Sequence, residues 1–182
     1  MSKRARVAAA AALFFGLCAY TAPNKQFHIA MGPTESAWTV DEELATDANT
    51  FVLFKFTAPS HDAIGERIVI WHRVTDLIGN TDAFAQSLAE GILADRYPKG
   101  AFTITTRARQ RDADGQPYYV FTAEGVYKDA PAVWTGIVRV FPGQGAAMAA
   151  DVHSMKGQET RDKLGITDAE ILAWGTSLKP GE

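Results

Sequence analysis

Asp151, His153 and Ser154 are the residues of this 182-residue chain that first suggest catalysis. A serine nucleophile needs a base and a carboxylate that converge on it, usually at a strained turn that exposes the hydroxyl. In an extended segment, however, Asp151 and His153 share one face and Ser154 points to the other. No G-x-S-x-G occurs either. The trio reads as polar residues on a solvated strand face, and no catalytic residue is assigned. The four histidines, His28, His61, His72 and His153, match no ligand spacing such as H-x-H or H-x-x-x-H. Asp112-Ala113-Asp114-Gly115 opens like a calcium loop, but the glycine comes two places early and no bidentate Glu follows. A hairpin turn explains it better, and His72 between Trp71 and Arg73 reads as a hydrogen-bonded structural residue. Neither a metal nor a cofactor is expected.

Binding chemistry has better candidates. Arg107, Arg109 and Arg111 recur at period 2, with Arg96 and Lys99 near in sequence. Three guanidinium groups on one strand face can receive a carboxylate or phosphate through bidentate bonds, or meet an acidic partner. The same stripe also serves as a charged edge that discourages strand-to-strand aggregation. Among the aromatics Tyr118, Tyr119, Phe121, Tyr127 and Trp134, most belong to a core, and a minority can line a pocket or partner groove. Tyr119 and Trp134 join the arginines as ligand- or partner-binding candidates.

These residues need a scaffold, and periodicity outlines one. Residues 27–31, 50–57 and 67–74 have strand character, and TFVLFKFT over 50–57 is rich enough in aromatic and branched residues to be central. Residues 38–46 suit either an extended segment or a short acidic helix. A helix starting at Asn80 or Thr81 carries Phe84, Leu88 and Ile92 at helical spacing, and Tyr97-Pro98 and Gly100 stop it. Alternating residues 102–109 and 117–127 flank the turn at 112–115, and residues 133–141 and 146–154 flank a Pro-Gly turn, giving two hairpins. Thr167 and Glu170 make a capping box before Ile171, Trp174 and Leu178, with Ile166 placed to staple onto Ile171. Hairpins cannot build a parallel sheet, so the expected fold class is α+β, a mainly antiparallel sheet covered by helices.

The N-terminus reads as an address. Lys3, Arg4 and Arg6 precede a charge-free apolar run over residues 7–22, shorter than the ~20 residues plus flanks of a spanning helix. This is the pattern of a signal peptide over residues 1–22, the alternative being an uncleaved N-terminal anchor. Neither Ala22 nor Ala19 ends a clean A-x-A site, and Leu17 before Cys18 departs from a lipoprotein signal. Residues 23–182 then form one globular α+β domain. Removing the leader leaves 15 Lys and Arg against 21 Asp and Glu, a net charge of −6 that argues against nucleic-acid binding. No cysteine follows Cys18, so packing alone holds the domain.

The strand RIVIWHRV, the helix DAFAQSLAEGILADRY, the hairpins around DADGQPYYVFTAEG and FPGQG and the short closing helix together resemble the Mog1/PsbP-type fold, including the DcrB-like bacterial envelope proteins. The resemblance covers roughly residues 50–178 and lies in element order and spacing. It implies an α/β/α sandwich. That group includes photosystem accessory proteins, a small-GTPase partner and envelope proteins, with no shared catalytic set, so it assigns no functional residue here. The segment between Lys156 and Gly165 departs from the DcrB-like pattern. The expected function is that of a non-catalytic, periplasmic or secreted accessory protein that binds another envelope protein, touching the membrane only through an uncleaved N-terminal segment. A small-ligand or lipid carrier with an apolar pocket is the alternative, and a hydrolase is the least favoured reading.

Overall fold

A computed structural model of the chain describes residues 19–22, 25–57, 65–74 and 81–181. Two antiparallel meanders make a seven-stranded sheet. The first comprises β3 (Trp38–Ala45), β4 (Asn49–Phe56) and β5 (Gly65–His72). Helix α1 (Thr81–Arg96) leads to the second: β6 (Phe102–Arg111), β7 (Pro117–Tyr127), β8 (Ala130–Phe141) and β9 (Gly145–Ser154). They join through β5 and β9, giving the order β3-β4-β5-β9-β8-β7-β6 with every pair antiparallel. Helix α2 (Gln158–Leu164) and helix α3 (Asp168–Thr176) follow, and β10 (Lys179–Pro180) closes a small sheet with β1 (Ala19–Thr21) and β2 (Phe27–Ala30) in the order β1-β2-β10. The α+β sandwich expected from the sequence is the fold observed.

Burial divides the core by sheet face. On one side Val52, Phe54, Val69, Ile137 and Ala149 pack under α3 and the small sheet through Phe27, Ile29, Ile171, Trp174 and Leu178. On the other, Leu53, Ile68, Phe121, Trp134 and Met148 meet α1. The buried line of α1 is Ala85, Ala89 and Leu93, one residue round from the expected Phe84, Leu88 and Ile92, of which Leu88 and Ile92 flank it half-buried. Two alanines let the helix settle close to the sheet, where a bulky stripe would hold it off.

The middle strand is β9, not β4 as its aromatic content suggested. All ten residues of β9 are buried, and its alanines suit a strand covered on both faces. Residues 38–46 resolve as an edge strand with a bulge between Val40 and Glu42, a device that blunts edge pairing. A two-residue turn with both Lys128 and Asp129 at positive φ (49° and 59°) starts β8 at Ala130, three residues before the expected 133, so the last four strands are one continuous meander. Ala19–Thr21 pair with β2, Ala22 is buried, and the Tyr20 ring stands edge-on to Phe54. Residues 1–18, with the basic n-region and Cys18, lie outside the described residues, as do His61 and Asn80.

Candidate functional site

On the α3 side of the sheet, backbone register places Thr106, Thr122, Thr135, Asp151 and Arg67 side by side across five strands. Exposure falls along this row, from open Thr106 through half-buried Thr122 and Thr135 to fully buried Asp151 and Arg67. A parallel row sets Glu124, Val133 and His153 together. The sheet therefore carries polar side chains from a solvent-facing end into a closed interior.

The interior end is a charge network. Arg67 Nε donates to Asp151 Oδ2 at 3.1 Å, and Arg67 Nη2 donates to Glu170 Oε2 at 2.5 Å. Arg161 Nη2 donates to Asp151 Oδ1 at 2.8 Å. Thr34 Oγ1, from the 3-10 turn before β3, donates to Glu170 Oε1 at 2.9 Å. The Arg67 guanidinium also lies between two indoles, 4.5 Å from the Trp38 ring and 4.6 Å from the Trp174 ring. Two guanidinium groups and two carboxylates balance, which is the condition under which charges are tolerated in a core. The network ties β5 and β9 to α2 through Arg161 and to α3 through Glu170 and Trp174.

Local sequence explains how Glu170 arrives there. Thr167 Oγ1 accepts from Glu170 N at 3.3 Å, so the hydroxyl half of the capping box forms. The carboxylate half does not, because Glu170 turns to Arg67 and Thr34 instead. A buried guanidinium outcompetes a surface amide for a carboxylate.

Burial alone would push the Asp151 carboxyl up, but Arg161, the neighbouring His153 imidazole and Arg67 outweigh it and hold the group well below the usual carboxylate range. So placed, Asp151 is a permanent anion and a poor proton acceptor at neutral pH. His153 Nδ1 is buried and faces Asp151 Oδ1 at 3.4 Å. Ser154 Oγ accepts from Lys156 N at 3.2 Å and caps the turn into α2. The solvated strand face read from the sequence is thus corrected: Asp151 is 0% and His153 8% exposed, because α2 and α3 fold over them.

Beside the network a half-open cleft of about 430 Å³ opens between the sheet and the starts of α2 and α3. Val133 and His153 form its floor, with Met155, Gln158, Arg161 and Asp162 on one wall and Ile166, Thr167 and Asp168 on the other. Among the described residues, no group of three or more His, Cys, Asp or Glu is arranged to hold a metal ion.

The arginine stripe lies on the other face, along edge strand β6. Arg107 Nη1 donates to Gln86 at 2.7 Å and Nη2 approaches Glu90 at 3.5 Å, both on α1. Arg109 stands 3.9 Å from Asp82 and 5.8 Å above the Tyr119 ring, and Arg111 Nη1 donates to Gly115 O. Tyr119 is buried beneath Arg109, its hydroxyl donating to Asp82 at 2.6 Å; burial and that carboxylate push the phenol up. Trp134 sits apart from them at 0% exposure, its ring over Gly136 in the α1-side core. The structure brings Arg109 and Tyr119 together and leaves Trp134 out of reach of the surface. Asp112 of the calcium-like turn accepts the amides of Asp114 and Gln116 and bonds Arg139 Nη2 at 2.5 Å, so its carboxylate is committed to the hairpin. His72 Nδ1 meets Asn49 Oδ1 at 2.5 Å, as a structural histidine should.

Sequence reasoning missed Arg67, Arg161, Glu170 and Trp38 as a unit. One signal was present: Arg67 precedes the apolar run Ile68–Trp71 in a strand buried on both faces, and a charge there requires a carboxylate on a neighbouring strand. Arg161 gave no such signal, since QETRDKL looks like any surface helix.

No protein-family model matches the chain, and no curated protein matches its sequence. Solved structures do resemble it. The solution structure of cyanobacterial PsbP (CyanoP) from Synechocystis sp. PCC 6803 is 13% identical, with 89% of this chain and 91% of that one covered and a TM-score of 0.57. A crystal structure of a protein of unknown function from Pseudomonas aeruginosa is 8% identical over 73% of this chain and 94% of its own, with a TM-score of 0.44. The first likeness shows the fold.

Proposed function

From a fold of the Mog1/PsbP type, we propose that the chain is an exported accessory protein that acts by binding another protein of the cell envelope, not by turning over a substrate. What supports the reading above all is the state of the Asp151–His153–Ser154 trio, the residues best suited to catalysis. Asp151 is neutralised by two arginines, Ser154 is spent on a cap, and neither faces an open nucleophile site. The accessory roles implied by the family resemblance agree with it, and the basic, apolar N-terminus supports export. No helix among the described residues is long and apolar enough to cross a membrane.

The test is native-level fractionation. The protein, tagged at its own locus and gently crosslinked in intact cells, is expected in the envelope fraction as a complex larger than a monomer, with one partner recurring across preparations. A cytosolic monomer that retains Met1 counts against both export and partnership. The cleft of about 430 Å³ favours a second reading, carriage of a small ligand. Native mass spectrometry of the purified protein should then show a bound molecule, and a bare mass argues against carriage.

A further inference from the structure

We infer that the leader is cleaved at the peptide bond between Cys18 and Ala19, so that the mature protein begins with the first residue of β1; this rests on the export reading above. The folded side of that bond sets the first limit. β1 is half-buried with period 2: Ala19 and Thr21 face solvent, Tyr20 is partly covered and the following Ala22 is 1% exposed. It pairs with β2 in the register Ala19↔Ala30, Tyr20↔Ile29 and Thr21↔His28. Ala22 N donates to Phe27 O at 3.0 Å and Ala22 O accepts from Lys25 N at 2.8 Å, which closes the hairpin. The Tyr20 and Phe54 ring centroids lie 5.2 Å apart, and the Tyr20 hydroxyl donates to Glu43 of edge strand β3. Cleavage after Ala22 discards this strand, vacates a filled core position and bares the edge of β2. Cleavage after Ala19 removes the first rung of the ladder. The strand is complete only when the cut falls before Ala19.

The leader side sets the second limit independently. A peptidase that reads an A-x-A-like site holds the chain extended, so the first and third residues before the cut point into the same shallow wall and the one between points away. For the bond after Cys18 those positions hold Cys18 and Gly16, both small, with Leu17 between them. Bulky Tyr20 takes the third position for a cut after Ala22, and Leu17 takes it for a cut after Ala19. Gly16 also ends the nine-residue apolar run over residues 7–15, within the span of about 7–15 residues expected of a leader's apolar core. The pattern in the leader and the edge of the fold meet at one bond. In the cleavage, water adds to the Cys18 carbonyl carbon and the C–N bond breaks. Cys18 leaves with the leader as a carboxylate, and Ala19 takes the proton on its new α-amine. The mature chain then carries no thiol, since Cys18 is the one cysteine of the sequence.

The full-length precursor, translated in vitro with signal peptidase in detergent micelles, tests the bond, and the protein recovered from intact cells tests export. Peptide mass spectrometry of the product should find Ala19 at the N-terminus, and a maleimide probe should label the precursor and not the product. Gly16→Trp should slow this cut at least about tenfold by overfilling the enzyme's pocket, whereas Cys18→Ala and Leu17→Gln should be cut at the same bond. All three positions leave with the leader, so none of these variants alters the mature domain. A first residue at Tyr20 or Pro23, a lipid-bearing Cys18 at the N-terminus, or a precursor that the peptidase leaves intact overturns the proposal. Protein recovered from the envelope with Met1 in place also overturns it, and export stands. Protein held in the cytosol with Met1, alongside an in vitro cut before Ala19, removes the export reading and supports the bond.

Discussion

Asp151→Asn is the sharpest probe of the buried network. Asparagine keeps the volume, so no cavity opens, but the charge balance of two guanidinium groups against two carboxylates becomes a buried excess of one positive charge. Asp151 accepts from Arg67 at 3.1 Å and from Arg161 at 2.8 Å. Each attraction is on the order of 4 kcal/mol at an effective dielectric constant of about 20. Desolvation has consumed much of that in the wild type, but removing one partner leaves the cost without the gain, and such losses run to about 3–5 kcal/mol. For a domain of this size the melting temperature should fall by roughly 6–20 °C. Denaturant and thermal unfolding give the number directly. The pH profile gives its origin. The native Asp151 carboxyl is held below its ordinary 3.8, so the stability it confers is complete above that value and is lost as pH falls through and below it. The gap between wild type and variant should stay constant at neutral pH and narrow below about pH 4. A loss under about 1 kcal/mol, the worth of a solvent-exposed ion pair, would refute the buried network and restore the solvated strand face.

Glu170→Gln should destabilise the protein more than Thr167→Ala in urea titrations, because the carboxylate anchors Arg67 while the hydroxyl supplies one cap worth about 1 kcal/mol. Burial lowers the His72 imidazole, so the unfolded chain takes up its proton first: stability should decline as pH drops below 6.5, and His72→Asn should flatten that limb in a pH series of melts. Gly136→Ala drives a Cβ into the Trp134 ring, and the forced repacking should cost about 1–3 kcal/mol, visible as a shift in tryptophan fluorescence with a lower melting point. A chain starting at Pro23 loses β1 and buried Ala22 and should melt lower than one starting at Ala19; equal melting points would place β1 outside the stable body.

The legible and illegible parts of this chain divide along the reach of the interactions. Strands and hairpins announced themselves because alternation and turn residues act over two to ten residues, and the order of elements was enough to suggest the fold. The turn at Lys128 and Asp129 escaped because neither residue is glycine or asparagine, the usual marks of positive φ. Helix α2 escaped because its seven residues carry no apolar stripe; it is held by the single buried Arg161. The network itself joins positions 67, 151, 161 and 170, and its closest pair in sequence spans nine residues across two helices. Separations of that kind leave no local period to detect. Even Glu170 was misleading in an informative way, since its spacing from Thr167 fits a cap while its carboxylate serves the core.

The placement of that network bears on function through what it covers and what it leaves open. Along the row Thr106, Thr122, Thr135, Asp151 and Arg67, the helices shield the half where Arg67 needs carboxylates and indoles around it. The threonine half carries no charge, so nothing compels the fold to cover it, and β-branched side chains make a stable, flat surface without a lid. The covering stops at the Val133–His153 floor, and the cleft forms at that boundary, where a rigid, charge-balanced wall meets an open sheet face. A site on such a boundary is preorganised on one side and accessible on the other.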